Sequence, residues 1–258
     1  MTNSKIFPIH LALNGAASTA SGVNELTLHA QFTLIASAIQ TAYRERVGGA
    51  QLGQSDAIAL TAAIGDFLHI ADSLDSQFGA DAALPHIDAA DAANEALRCV
   101  AELAAWLPRV ELDEQMPALQ AVALGIGLWC MRHALRIDRA APIVNALANR
   151  ANCAASTQET AATFALMQGF LIHLTPQLVS DLERSDPQRP WRLLNLNLAI
   201  TAIRSGDAIM MRYAFDQLNT NLPEERRGFY DEAYAVACQP GFPEPVRALI
   251  AAEVAGAT

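Results

Sequence analysis

Apolar side chains recur along most of the chain at intervals of three and four residues, which places them on one face of an α-helix. Four long helices are predicted first, over residues 23–47, 56–78, 86–106 and 113–137. No strong alternating run of β-branched and aromatic residues, which would indicate a strand, occurs in the sequence. The chain is therefore predicted to be all-α, with stacked antiparallel helix pairs forming either an α-α superhelix or a compact helical array.

Polar residues just before two of these helices are candidate N-caps, because a side-chain oxygen there accepts a hydrogen bond from the first helical turn. Asn24 or Ser21 is expected to cap the first helix, and Ser55 is expected to cap the second. Glycine or proline follows the first three helices, and both residue types commonly end a helix.

The same pattern gives a domain organisation. Residues 1–22 lack helical periodicity and are predicted to form an extended arm. Residues 23–258 are predicted to form a single helical domain, because no low-complexity linker or charge run interrupts them. Within it, residues 23–112 should form long helix pairs, and residues 113–258 shorter pairs.

The fourth predicted helix is apolar nearly all round at its centre, so we expect it to be the most buried helix. Gly125 and Gly127 lower helix stability, and the close approach of a neighbouring backbone is the reason expected for them. A buried pocket near residues 114–137 is where a helical enzyme or a small-ligand or metal binder would have its site.

The second half of the chain contains an internal match. Residues 133–159 align without gaps with residues 201–227, as in Leu135 with Ile203 and Ala146 with Ala214. The offset is twice the roughly 34-residue period of a known helix-pair repeat. One further pair of helices is predicted between the two matching segments.

Residues 191–223 predict two helices joined by a tight turn, and their spacing resembles one tetratricopeptide repeat. A fainter resemblance covers residues 133–159, and the resemblance implies tetratricopeptide-like helix pairs over 113–258. The residues that carry the resemblance are Leu198, Ala199, Gly206, Asp207, Phe215 and Pro223. Asn195 stands where that family has a bulky residue, and Met211 and Leu218 stand where it has alanines.

The resemblance implies that a protein or peptide binds in a concave groove. The first helix of the repeat would present five residues to that groove: Leu193, Leu196, Ile200, Ile203 and Arg204. Repeats that grip a C-terminal carboxylate use Lys, Arg and Asn at such positions, and only Arg204 fits. The resemblance therefore implies an apolar groove, or one covered by the N-terminal helices.

The formal net charge of −10 and the pI near 5.0 argue against nucleic acid, whose phosphates require clustered Lys and Arg. Such a charge suits a basic protein partner, although many acidic proteins have none. Lys5 is the only lysine, which together with the many alanines is typical of a bacterial genome composition rather than of a site.

Four cysteines, Cys99, Cys130, Cys153 and Cys238, form no CxxC motif and have no histidine at ligand spacing. Free buried thiols in a reducing, cytoplasmic compartment are expected.

The segment after Lys5 faintly resembles a signal peptide but is interrupted by Pro8 and His10. No membrane span is predicted, because the longest stretch without a charged residue or a histidine, 115–131, is too short.

Two clusters are candidate sites. Asp66 and His69 lie three residues apart, and Asp88 follows on the next helix, so a metal site is conceivable there. The region contains no Lys or Arg and is rich in Asp, so a solvated acidic face is favoured and no metal site is assigned.

A basic cluster near the end of the fourth helix is the second candidate, for contact with an anion or an acidic partner. It consists of Arg132, His133, Arg136 and Arg139. The simpler interpretation, which we favour, is that these charges complement the helix dipole.

The sequence contains no phosphate-binding loop, nucleophile elbow or paired catalytic acids, and it indicates no catalytic residue and no cofactor. The leading hypothesis is a non-enzymatic protein-interaction module: a helical-repeat adaptor, chaperone or inhibitor. The alternative is the helical enzyme or ligand binder with its pocket near 114–137. Oligomeric state has no signal in the sequence.

Overall fold

The computed structural model describes residues 27–47, 56–84, 87–180, 186–239 and 241–256. Within these ranges the chain forms eleven α-helices and no strand, and adjacent helices pack in pairs, which confirms the all-α prediction. The helices are α1 (Leu28–Arg46), α2 (Ala57–Phe78), α3 (Ile87–Trp106), α4 (Met116–Arg132), α5 (Ala141–Cys153), α6 (Thr157–His173), α7 (Pro176–Val179), α8 (Pro190–Ser205), α9 (Ala208–Asn221), α10 (Arg226–Ala237) and α11 (Glu244–Gly256).

The described residues fall into two compact units. The N-terminal unit contains residues 27–149 and 169–180, and the C-terminal unit contains residues 150–168 and 186–256, with the gaps given above. The division falls within α5 and again within α6. A single domain over 23–258 stays a prediction, and the arm at 1–22 lies outside the described residues.

Four helices form the core of the N-terminal unit. Helix α1 packs against α2 and α4, and α3 packs against the same two helices, so the four enclose one apolar interior. Its largest fully buried side chains include Phe32, Ile39, Leu60, Ile64, Leu97, Leu103 and Leu119. Burying side chains of this size contributes roughly 1.5–3 kcal/mol each.

The helix starts differ from the prediction at both caps. Thr27 caps α1, since its Oγ1 accepts the Ala30 N–H at 3.2 Å. Asp56 caps α2 through a 2.7 Å hydrogen bond from the Ala59 N–H. The caps predicted at positions 21, 24 and 55 lie outside the described residues, and each helix begins after them.

Helix α4 ends at Arg132, so the prediction that it reaches Ile137 is wrong. Ala134 adopts a left-handed conformation with φ of 55°, which an α-helix cannot continue through. The Ile137 N–H then bonds to the His173 carbonyl at 2.9 Å, and the Ile137 carbonyl accepts the Thr175 N–H. A tertiary backbone pairing therefore replaces the last predicted turn.

The glycines of α4 face side chains rather than a neighbouring backbone, contrary to expectation. A Cβ added at Gly127 would lie 2.7 Å from the Phe170 ring and 2.8 Å from Ile143 Cδ1. A Cβ at Gly125 would overlap the Leu28 side chain. These glycines leave room for large side chains that pack onto the helix.

In the C-terminal unit, helices α8 to α11 begin at equal intervals along the chain. Helix α8 packs on α9, α10 packs on α11, and α9 also contacts α11. Gly206, at φ of 68°, ends α8, and Asp207 caps α9 by accepting two backbone N–H groups. This is the tight turn that the sequence predicts between the two helices.

Asn195 is fully buried in α8, where the tetratricopeptide pattern has a bulky residue. Its Nδ2 donates to the Trp191 carbonyl at 2.9 Å, and its Oδ1 accepts from Asn221 Nδ2 at 2.8 Å. The polar side chain is thus satisfied inside the helix pair, and it links α8 to α9.

The internal match holds for one helix of each segment. Helices α5 and α9 begin and end at almost the same aligned positions. The preceding turns differ, because residues 133–140 form a longer connection than Gly206 and Asp207 do. The structure is therefore compatible with a helical repeat, but the two turns are not equivalent.

Candidate functional site

A cleft of about 570 Å³ lies between α8 and α10 in the C-terminal unit. It exists because α8 packs on α9 while α10 packs on α11, which leaves the facing sides of α8 and α10 unfilled. Its lining consists of Arg192, Leu196, Ile200, Ile203, Arg204, Glu225, Gly228, Phe229, Glu232, Ala233, Val236 and Phe242. The volume falls within the range of ligand pockets, roughly 300–1,000 Å³.

The structure brings four of the five predicted groove residues to this cleft. Leu196, Ile200, Ile203 and Arg204 line it, whereas Leu193 is partly buried on α8 outside the lining. Their role in binding stays a prediction.

The second wall of the cleft, on α10, was not predicted. Only Tyr230 and Ala237 of this helix are buried. Phe229, Ala233 and Val236 recur at helical spacing on the cleft side, so an apolar row was visible in the sequence. What the sequence did not indicate is that this row faces α8.

Large apolar side chains that line the cleft remain accessible to solvent. Ile200 is 41% exposed on the α8 wall, and Val236 is 44% exposed on the α10 wall. Single exposed apolar residues are common, but these two share one concave surface. The cleft therefore offers apolar area that the fold itself does not bury.

An ion pair joins the walls at one end of the cleft. Arg192 NH2 donates to Glu225 Oε2 at 2.9 Å, and Arg192 Nε also bonds to Glu225 Oε1. The hydrogen bond from Arg192 lowers the pKa of Glu225, against the opposing effect of burial. This bidentate pair links the first turn of α8 to the start of α10.

Two further charged side chains, Arg204 and Glu232, line the cleft, and neither forms a salt bridge with another described residue. Arg204 NH1 donates to Asn152 Oδ1 at 2.7 Å and to the Ala151 carbonyl at 3.3 Å. Glu232 is exposed on α10, and among the described residues it has no ion-pair partner. The cleft thus contains one uncompensated carboxylate beside its apolar centre.

Two residues of the basic cluster, Arg132 and His133, contact Asp75 in the N-terminal unit. His133 is fully buried, with Nε2 2.6 Å from Asp75 Oδ1 and Nδ1 2.6 Å from the Ala82 carbonyl oxygen. Trp129 Nε1 donates to Asp75 Oδ1 at 2.8 Å, and Arg132 NH2 donates to Oδ2 at 3.1 Å. Both ring nitrogens of His133 therefore face acceptors, and neither faces solvent.

The other two basic residues lie apart from this network. Arg136 NH1 donates to the Ile172 carbonyl at 2.6 Å, which ties the chain after α4 to the end of α6. Arg139 is largely exposed, 3.9 Å from Asp138 Oδ1. The structure thus does not bring the four residues together on one surface, and anion binding by them stays the less favoured of the two hypotheses.

The weak metal candidates do not converge. Asp66 and His69 are exposed on α2, and Asp88 is exposed on α3. In the described part of the chain, no group of three His, Cys, Asp or Glu side chains could hold a metal ion. The His69 ring instead stands edge-on to His29, with centroids 6.2 Å apart.

The cysteines are free, but the expectation that all are buried is wrong. Cys99 and Cys130 are buried, whereas Cys153 and Cys238 are exposed. Burial raises the pKa of Cys130 to about 12, so this thiol stays protonated and unreactive at neutral pH.

The surroundings of α4 contain a small cavity of about 130 Å³, beside α3 and the start of α5. It lies where the alternative function would have its pocket, but it is smaller than ligand pockets usually are.

Helix α2 is long and apolar enough to cross a membrane by length and composition. A core helix meets the same criterion, and α2 packs against α1 and α3.

The fold and the cleft define an all-α protein of packed adjacent helix pairs with an open, largely apolar groove. Compared with known proteins, the chain matches no family model, and no curated protein or solved structure shows significant similarity to it. The tetratricopeptide resemblance therefore extends no further than the helix pairs themselves.

Proposed function

We propose that the protein is a non-enzymatic interaction module whose C-terminal unit binds a protein or peptide segment in the cleft between α8 and α10. The observation that carries the proposal is the exposed apolar surface shared by Ile200 and Val236 within one concavity of about 570 Å³. Burying such area against a partner is the main driving force of association.

The charges support a protein partner over a nucleic acid. The chain has a net charge of −10, and Arg192 is already paired with Glu225. Phosphate recognition requires several accessible Lys and Arg side chains, and the cleft contains only Arg204 beyond that pair. Free cysteines agree with a reducing, cytoplasmic location, which is part of the proposal.

The helical repeat is also part of this proposal. Equal intervals between the starts of α8, α9, α10 and α11 support a tetratricopeptide-like arrangement in which the first helix of each pair lines the groove. A second function is not proposed on the 130 Å³ cavity beside α4, because it is small and contains no charged group.

A random peptide library displayed on phage, selected against the full-length protein, tests the proposal. A selected peptide is then synthesised with a fluorophore, and its affinity is measured by fluorescence anisotropy. Ile200→Arg should weaken binding by at least about tenfold, because it replaces an apolar contact residue with a long charged side chain.

Ile209→Arg is the matched control, since Ile209 lies in the same unit, is 65% exposed and does not line the cleft. This variant should bind within about twofold of the wild type. Circular dichroism should show that both variants are as helical as the wild type. Equal weakening by both substitutions, or no selectable peptide at all, would refute the proposed function.

A further inference from the structure

We infer that the segment bound in this cleft is an amphipathic α-helix that places a cationic side chain against Glu232, an inference that rests on the proposed function. It concerns the conformation and charge of the partner, which the proposed function leaves open. Three properties of the cleft support it: its backbone chemistry, the spacing of its apolar rows and its uncompensated carboxylate.

The backbone of the cleft favours a helical partner. Except for Glu225 and Phe242, every lining residue lies within α8 or α10, whose N–H and C=O groups are paired inside the helix. An extended peptide would find no free strand edge here and would bury its own unpaired backbone groups against apolar side chains. A helix satisfies those groups internally and buries only side chains.

The apolar residues form two rows with matching spacing. The rows are Leu196, Ile200 and Ile203 on α8, and Phe229, Ala233 and Val236 on α10. Each row advances by four residues and then by three, which is the spacing of one helix face. A third helix with an apolar stripe at the same spacing can insert its side chains between the rows. The lining on α10 runs from Gly228 to Val236, which is about 12 Å or roughly two helical turns.

Glu232 determines the charge of the partner. It lies within the apolar row of α10, level with Ala233, and the described chain supplies no ion pair for it. A helix covering this row would desolvate the carboxylate, which is unfavourable unless a Lys or Arg compensates. Arg204 does not require an anionic group from the partner in the same way, because its guanidinium already donates hydrogen bonds to Asn152 Oδ1 and the Ala151 carbonyl. The net charge of −10 adds a general attraction for a basic partner.

The test uses three fluorescent probe peptides of about 14 residues, roughly 21 Å long as a helix. The first is an Ala- and Gln-based helix with leucines in the four-then-three spacing and one lysine beside the leucine stripe. The second has a central proline, which prevents the helix. The third has glutamate in place of the lysine. Anisotropy titrations against the full-length protein should give the first peptide at least about tenfold higher affinity than either other peptide.

Glu232→Lys should reverse the preference between the lysine and glutamate peptides. Asp231→Lys is the matched control: Asp231 is the neighbouring carboxylate on α10, is exposed and does not line the cleft. This variant should preserve the preference for lysine. Equal effects of the two substitutions would overturn the local role of Glu232, and equal binding of the proline peptide would overturn the helical partner.

Two other occupants are distinguished by the same samples. Displacement of the lysine peptide by a synthetic peptide of residues 1–22 would overturn the inference in favour of the chain's own segment. A lower sedimentation coefficient for Ile200→Arg than for the wild type would overturn it in favour of a second copy. If library peptides bind at Ile200 while the helical probes do not, the inference fails and the proposed function stands. If neither binds, both fail.

Discussion

The Asp75 carboxylate connects α2 to the end of α4 and to His133, the residue after it. Its removal should therefore lower the free energy of unfolding. Asp75→Ala takes away the acceptor of Trp129 Nε1 at 2.8 Å and the hydrogen-bond partner of His133 Nε2 at 2.6 Å. His133 is fully buried and Trp129 nearly so, so neither side chain can turn to water. Each buried polar group left without a hydrogen-bond partner costs about 1–3 kcal/mol. Arg132 is partly exposed and adds little, so we expect a loss of about 3 kcal/mol in the free energy of unfolding.

Urea denaturation followed by far-UV circular dichroism measures this loss. Asp72→Ala is the matched control, one turn earlier on α2, where the carboxylate is 57% exposed and 3.5 Å from His29 Nδ1. An exposed pair of this kind contributes less than about 1 kcal/mol. The double variant Asp75→Ala/His133→Ala should lose less than the sum of the two single variants. Equal losses for Asp75→Ala and Asp72→Ala would refute the reasoning.

Two further predictions concern packing and pH. Gly127→Ala should destabilise the protein by about 1–3 kcal/mol, measured in urea, because its Cβ would lie 2.7 Å from the Phe170 ring. Arg192→Ala should lose about 1 kcal/mol near pH 7. Because Arg192 lowers the pKa of Glu225 from its usual 4.5, this stabilisation is present above that value. It disappears as the pH falls through the lowered pKa, so wild type and variant should converge at acidic pH, once Glu225 is protonated in both.

Each of these predictions has a control in the same unit. Gly65→Ala should be neutral or stabilising by about 0.5–1 kcal/mol, since the nearest atom to its Cβ would be 4.0 Å away on the Phe32 ring. Arg227→Ala breaks an exposed contact of 3.9 Å with Asp231 and should show no comparable pH dependence. A Gly127→Ala variant as stable as Gly65→Ala, or an Arg192→Ala deficit unchanged at low pH, would contradict the argument.

The helices could be predicted from the sequence wherever their ends depend on local chemistry. Gly79 ends α2 and Pro108 follows α3, as their backbone preferences require. Helix α4 was predicted too long because the apolar spacing continues through Leu135 and Ile137. The helix ends because Ala134 adopts a left-handed conformation and Ile137 pairs with the distant residue Leu174. Neither feature can be recognised from the neighbouring sequence.

The grouping of side chains was less predictable, because it depends on contacts between distant segments. The basic residues near the end of α4 were treated as one cluster because they are close in sequence. Asp75, more than fifty residues earlier, instead binds Arg132 and His133, while Arg136 bonds to the end of α6. Similarly, the helix-pair pattern in the sequence predicts the residues of the α8 wall of the cleft. The position of α10 opposite that wall depends on tertiary packing, which the pattern does not predict.

The two sides of α8 separate stability from the proposed binding. Leu198 is fully buried against the rest of the helix pair, whereas Ile200, two residues later, is 41% exposed in the cleft. Truncating the first side chain would leave a cavity, which typically costs 2–5 kcal/mol. Changing the second removes no buried contact of comparable size. The proposed partner would cover the apolar row on α8 and the facing row on α10. Because Ile200 contributes little to the packing of the helix pair, Ile200→Arg can report on binding without unfolding the protein.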